Sequence, residues 1–242
     1  TVFGDISQIA VNRAKSYMFN DKVVFYSQHQ DDETLFAGSA VVDAIEAVGK
    51  ENVYMVLITD GNESGVFSSS RYSNLTLKQK IQLRNNEFNA AVNRLGILKE
   101  NIIYLNQPEG AIDNNVVRDK MLYFETNFES VTHITHTYQY DYHEQHLKTG
   151  RLLYSLYKEG LISDCRFFAR KEFIQDRTNK FLVEGVADNI YERNKVLGAS
   201  DEYNIDKGDM VREGIGYKSV KRLFDELYSD KFVTSYLHYP GL

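Results

Sequence analysis

Apolar residues fall in short unbroken runs separated by stretches of helical period. Val23-Val24-Phe25-Tyr26 predicts a buried strand over 22–27. The run Val53-Tyr54-Met55-Val56-Leu57-Ile58-Thr59 is the most apolar in the chain. It reads as a central parallel strand covered on both faces. Further strands are expected over 101–105 and 131–136. Helical spacing is found over 6–19, through Ile6, Ile9, Ala10, Ala14 and Met18, and over 39–48, where Val41, Val42, Ile45 and Val48 share a face and Gly49 is a stop. A long helix is expected over 77–95, with Ile81, Phe88, Ala91, Val92 and Leu95 inward and Gly96 at its end. Another over 147–158 stops at Gly160.

Strand–helix alternation with short loops argues an α/β fold, a parallel sheet with helices on both faces. The stretch between the third and fourth strands is mixed and yields no element. Residues 66–76 read as an exposed polar insertion. Beyond 165 the pattern loosens: Phe167-Phe168 and Phe181-Leu182-Val183 suit edge strands, and 186–198 and 217–228 suit helices. With no repeat, low-complexity tract or Pro-rich linker, 1–242 is expected to form a single domain, its last third wrapped around the sheet.

Composition narrows the functions. Hydrophobic residues at 43% and charged residues at 26% are ordinary globular values. A net charge of −6 without a long basic run argues against nucleic-acid binding. The single cysteine, Cys165, excludes an internal disulfide framework and any Cys-rich zinc motif. A metal here would be held by His, Asp and Glu. No apolar stretch reaches transmembrane length. The numbering begins at Thr1 rather than Met. The expected location is therefore cytoplasmic, or extracellular and cell-surface if an export signal was removed. Oligomeric state is not legible.

Candidate chemistry gathers where strands end. Ser27-Gln28-His29-Gln30-Asp31-Asp32-Glu33 follows the first strand, at the edge where open α/β sheets place ligand sites. The spacing His29-x-x-Asp32 lets an imidazole and a carboxylate turn to one point once a helical turn begins. Asp31 lies between them and must point elsewhere, which suggests two ligands and a free base. The loops Asp60-Gly61-Asn62-Glu63-Ser64-Gly65 and Asn106-Gln107-Pro108-Glu109-Gly110 are expected on the same edge. Four of the six histidines lie in 132–146. His143 and His146 are three apart at a helix start, so both can reach one site. A catalytic zinc uses three protein ligands; His29, Asp32 and one of His143 or His146 would fill that count. His136 either approaches the metal or ends its strand, His133 reads as structural, and His238 as packing or surface.

These motifs resemble the LmbE-like, or PIG-L, de-N-acetylase family. His29-Gln30-Asp31-Asp32-Glu33 is similar to the family's His-Pro-Asp-Asp-Glu after a strand, and His143-Glu144-Gln145-His146 to its His-Pro-Asp-His before a helix. Thr59-Asp60-Gly61 resembles its Thr-Asp-Gly loop. Arg84-Asn85-Asn86-Glu87, followed by Leu95-Gly96, resembles its Arg-x-x-Glu helix ending in Leu-Gly. The match spans 22–158 in the right order. Gln30 departs from the usual proline, so the turn is less preset in φ. Glu144-Gln145 departs from Pro-Asp, so any supporting carboxylate from that aspartate is absent.

The resemblance implies a Rossmann-like fold and a zinc-dependent hydrolase removing acetyl groups from an N-acetylglucosamine-type sugar or glycoconjugate. It implies His29, Asp32 and His146 as ligands of Zn²⁺ or another divalent ion, and Asp31 as general base. His143 would stabilise the oxyanion as an imidazolium. Arg84 and Glu109 would grip sugar hydroxyls, unless Arg84 is a helix-surface residue paired with Glu87. Asp60 either supports the site or shapes its loop, and Tyr142 would close over the substrate. Two other readings are a non-catalytic amino-sugar-binding module on the same fold and another metal hydrolase such as a phosphoesterase, which often uses two metals. Dinucleotide binding is poorly supported, because no Gly-x-Gly-x-x-Gly follows the first strand.

Overall fold

The first strand, β1 (Lys22–Ser27), sets the layering of the molecule. Val23 and Phe25 enter one apolar layer and Val24 and Tyr26 the other, because successive strand side chains face opposite ways. In β2 (Val53–Thr59), Met55 and Leu57 join the first layer and Val56 and Ile58 the second. The structure, a computed structural model, describes residues 18–174 and 182–241. Within them β3 (Ile102–Gln107), β4 (Val131–His136), β5 (Cys165–Ala169), β6 (Leu182–Gly185) and β7 (Ser235–His238) complete a seven-stranded sheet of order β3-β2-β1-β4-β5-β7-β6. β1 to β5 run parallel; β7 is antiparallel to both β5 and β6.

The helices are α1 (Asp32–Val48), α2 (Leu77–Leu95), α3 (Asn114–Asn127), α4 (Glu144–Lys158), the single turn α5 (Lys171–Ile174), α6 (Ile190–Asn204), α7 (Ile215–Ser219) and α8 (Lys221–Ser229). α1, α2, α6 and α8 cover one face of the sheet, α3 and α4 the other. The chain is thus the single α/β domain expected, with helices on both faces. Among the described residues no helix is long and apolar enough to cross a membrane.

Several elements differ from the expectation, each for a packing reason. α1 begins at Asp32, not residue 39. Enclosed on nearly every side through Ala44, it offers no polar stripe to mark its first turn, and its acids suit the helix N-terminus. α3 fills the mixed stretch; its buried stripe is only Val117, Met121 and Phe124, too sparse to read as a period. α4 starts at Glu144 and so takes His146 into its first turn. β5 is interior, because β7 pairs along its outer side. The other expected edge strand is β6, with Phe181 outside the described residues. The 66–76 insertion is pinned by Phe67 and Tyr72, buried against Leu83 and Ile215. The helix expected over 217–228 is broken at Val220 into α7 and α8. Residues 6–17 of the first expected helix lie outside the described residues.

Chain order reverses beside β1: β2 lies on one side and β4 on the other. The connections leaving β1 and β4 therefore diverge, and a crevice opens at their carboxyl ends. Gly150 lets α4 close on this crevice. A Cβ there would stand 2.5 Å from the carbonyl oxygens of both His136 and Thr137. Gly150→Ala is expected to cost about 1–3 kcal/mol. Gly198→Ala, inside α6, would meet only the side chain of Arg94 at 3.8 Å; it is expected to stabilise the fold by about 0.5–1 kcal/mol. Urea unfolding of both variants checks the pair, and equal effects would contradict this packing.

Candidate active site

At the end of β1 the chain turns sharply into α1. The Gln28 carbonyl accepts from the backbone N–H of Thr59 at 3.1 Å and its hydroxyl at 2.7 Å, which ties the turn to the end of β2. Asp31 then adopts φ 111°, a left-handed conformation costly for a residue with a side chain. It is held by its neighbours. Its N–H donates to the Glu33 carboxylate at 3.1 Å, and its own carboxylate receives Arg84 at 3.0 Å. Arg84 also donates to the Gln30 carbonyl. Glu33 in turn accepts from Thr34 and Tyr203, both at 2.7 Å.

One turn brings His29 and Asp32 together, and α4 brings His146 to them. His29 Nδ1 lies 3.1 Å from Asp32 Oδ2 and 3.2 Å from His146 Nε2, and the third side, Asp32 Oδ2 to His146 Nε2, is 3.3 Å. Four ligands placed tetrahedrally at zinc's usual bond lengths stand about 3.3–3.4 Å apart, so this triangle has the size of one face of such a site. The outer ring nitrogens fix the orientation of both imidazoles. His29 Nε2 faces the Gln145 side-chain oxygen at 3.0 Å and Glu109 at 3.3 Å, and His146 Nδ1 faces Asp141 at 2.8 Å. Acceptors at these nitrogens demand protons there, which turns Nδ1 of His29 and Nε2 of His146 inward as donors to a cation. Two imidazole nitrogens and a carboxylate oxygen suit zinc or a neighbouring divalent ion.

Electrostatics agree with the geometry. Burial alone would raise Asp32, but His146 and His136 outweigh it and hold the carboxyl well below its usual range. Burial opposes charge on His146, yet Asp32 and Asp141 raise it to about 9. The carboxylates on either side of His146 thus favour positive charge at the centre of the cluster. Burial pushes Asp31 up to about 7, against the pull of Arg84.

His136 ends β4, as one expectation had it, and its Nε2 also reaches within 3.3 Å of Asp32. His143 caps α4, with its ring 4.9 Å from His29 and 4.5 Å from His146. Burial and the charges of His146 and His29 press it down to about 4, which disfavours the imidazolium form. His133 is buried between Tyr26, at 2.9 Å, and Glu125, at 3.0 Å, away from the crevice. His238 is buried on β7, where it meets the Thr137 hydroxyl at 2.8 Å.

The residues expected to hold sugar are rearranged. Arg84 is neither on the surface nor open to a ligand; it is buried beneath Asp31, 3.7 Å from Glu87. Asp60 shapes its loop, accepting from the backbone and side-chain amides of Asn62. Glu109 faces His29 with one carboxylate oxygen, at 3.3 Å, and accepts the Glu63 N–H with the other at 2.9 Å. Tyr142 is 73% exposed, its ring against Phe173 and Arg170. Asp141 and Gln145 were missed in sequence. Both lie in the histidine-rich stretch, but nothing in their spacing singles them out. Together with Glu109 they supply the support expected to be lost with the family's Pro-Asp.

A family model described as PIG-L, GlcNAc-PI de-N-acetylase, matches residues 24–157, more than half of the chain. The chain belongs to the PIG-L family. No curated protein matches its sequence significantly. Solved structures share the fold at low identity. The A40926 pseudoaglycone deacetylase aligns with a TM-score of 0.61 at 15% identity, over 90% of this chain and 96% of its own. The N,N'-diacetylchitobiose deacetylase of Pyrococcus horikoshii aligns at 0.59 and 15%, over 92% and 85%. The 4-carboxy-2-hydroxymuconate hydratase of Pseudomonas putida aligns at 0.51 and 13%, over 90% and 95%. The fold therefore serves more than one reaction, and within this PIG-L chain the reaction is argued from the site.

Arg84→Met would strand Asp31 and Glu87 without their buried cation. It is expected to cost about 3–5 kcal/mol in urea unfolding near neutral pH, with part recovered by adding Asp31→Asn. Unchanged stability would mean that the pair does not hold the turn.

Proposed function

We propose that the protein is a metal-dependent hydrolase that removes the acetyl group from an N-acetylglucosamine-type sugar or glycoconjugate. The observation that carries this reading is the convergence of His29 Nδ1, Asp32 Oδ2 and His146 Nε2 within 3.3 Å of one another, with the Asp31 carboxylate in the same turn. Those three residues would hold the ion, with zinc the metal their donor set favours. A bound divalent ion would polarise the acetyl carbonyl and acidify the attacking water.

The chain's own groups complete the chemistry. Asp31 takes a proton from the water as its oxygen bonds to the acetyl carbon. It returns that proton to the nitrogen as the C–N bond breaks, releasing acetate and a free amine. Arg84 keeps this carboxylate oriented through both transfers. His143 donates a hydrogen bond to the oxyanion. Gln145 and Glu109 hold His29, and Asp141 holds His146, so the donor atoms face inward before a cation arrives.

Chelator treatment is expected to abolish acetate release from N-acetylated amino sugars, and Zn²⁺ to restore it, with one ion bound per chain. Asp31→Asn is expected to lower kcat by about 10²–10⁴-fold while metal analysis still finds the ion. Full activity in that variant would remove Asp31 from the mechanism. Asp141→Asn is expected to weaken metal binding by about 10–100-fold, read by competition with a chelating dye. Unaltered affinity would show that His146 is oriented without it.

A further inference from the structure

A cavity of about 1000 Å³ lies beside the crevice on the same rim of the sheet, between the start of α1, the end of β5, β7 and α8. It is at the upper end of the size range of small-ligand pockets and far exceeds the needs of one acetamido sugar. It shares walls with the donor cluster. The ring of Phe36 lines it and also stands 6.2 Å from His136 and 6.3 Å from His146. Arg170 lines it and approaches Asp141, the partner of His146, at 3.8 Å. Tyr142, next to His143 in the chain, stands at its mouth.

The lining indicates what the cavity takes. Among the described residues its charged side chains are four basic and four acidic. Some are already matched: Arg170 lies 3.6 Å from Glu172, and Arg222 lies 2.5 Å from Glu226. A phosphate wants cations without anionic partners, and a balanced wall has little net charge with which to draw one. Interspersed carboxylates and guanidinium groups instead offer acceptors and donors to hydroxyls. Between them lie the rings of Tyr142, 73% exposed, and Tyr236, apolar bodies with a polar hydroxyl that suit the C–H face of a pyranose.

We propose that this cavity is the acceptor site for a neutral oligosaccharide several N-acetylhexosamine units long, whose reacting unit reaches over His29, Asp32 and His146. The inference rests on the deacetylase reading and narrows its substrate from an amino sugar in general to a glycan chain. It also separates the chain from an enzyme of free monosaccharides, since a single acetamido sugar would leave most of the cavity empty.

The test is a length series of N-acetylglucosamine oligomers, from one unit to five. Binding to the metal-free protein is measured by calorimetry and acetate release by the metal-loaded protein. Affinity and kcat/KM are both expected to rise by at least about tenfold, some 1.4 kcal/mol, between one unit and four. In Tyr142→Ala/Arg222→Ala most of that rise is expected to vanish. Tyr142 is 73% exposed and the Arg222 side chain 70%, so the fold does not depend on either. Binding that is flat with length, a rise preserved in the double variant, or tighter binding of N-acetylglucosamine 1-phosphate than of the tetramer would each overturn the proposal. Binding that rises with length without acetate release from any oligomer would uphold the cavity assignment and overturn the deacetylase reading.

Discussion

A carboxylate removed from water must be compensated, and at Asp32 that requirement organises the site. Its Oδ2 accepts the His29 N–H at 2.8 Å and stands within 3.3 Å of the rings of His29, His136 and His146. These four residues come from two distant parts of the chain, and they meet only because β1 and β4 are neighbours in the sheet. A buried anion surrounded by nitrogen donors is costly to assemble without positive charge. Asp32 and Asp141 favour such a charge on His146, raising it to about 9; a divalent ion at the same place would satisfy the same demand.

Around this centre the chain uses its own side chains where the PIG-L motif has proline and aspartate. Gln30 replaces the preset φ of proline with hydrogen bonds. Its amide donates to the Asp60 carbonyl at 3.1 Å and to Asn85 at 2.9 Å, so the first turn is tied to the loop after β2 and to α2. It lies so close under Gly61 that a Cβ there would overlap it. Gln145 and Glu109 share His29, and Asp141 takes His146. The support is distributed over the loop after β3, the loop after β4 and the first turn of α4 instead of being concentrated within one motif, so it depends on these segments being correctly packed against one another.

The last third of the chain reaches the site from beneath. Tyr203 on α6 donates to Glu33, which accepts the Asp31 N–H. Glu87 accepts the N–H groups of Ile215 and Gly216 at 2.7 and 2.9 Å and so seats the start of α7 against α2. The strained conformation of Asp31 is thus overdetermined by residues more than a hundred positions away, as such conformations require. On the other side of the crevice, α8 and β7 wall the large cavity, so the same segment both steadies the turn and shapes what can approach it.

Period and composition were enough for β1, β2, β4 and α2, because each buries a continuous run or a regular stripe whose pattern is local. That His29, Asp32 and His146 could converge was legible too, since their residue types and the strand ends they follow are local features, and the structure brings them within 3.3 Å of one another. α3 and the first turns of α1 were not: one has too few buried positions to show a period, and the other is enclosed on nearly all sides and shows no polar face. That Arg84 meets Asp31 and Glu109 meets His29 was decided by tertiary structure alone. Sequence specifies which side chains can bond, but which partner each one meets depends on the distances between loops, and those are set only when the sheet brings its strand ends together.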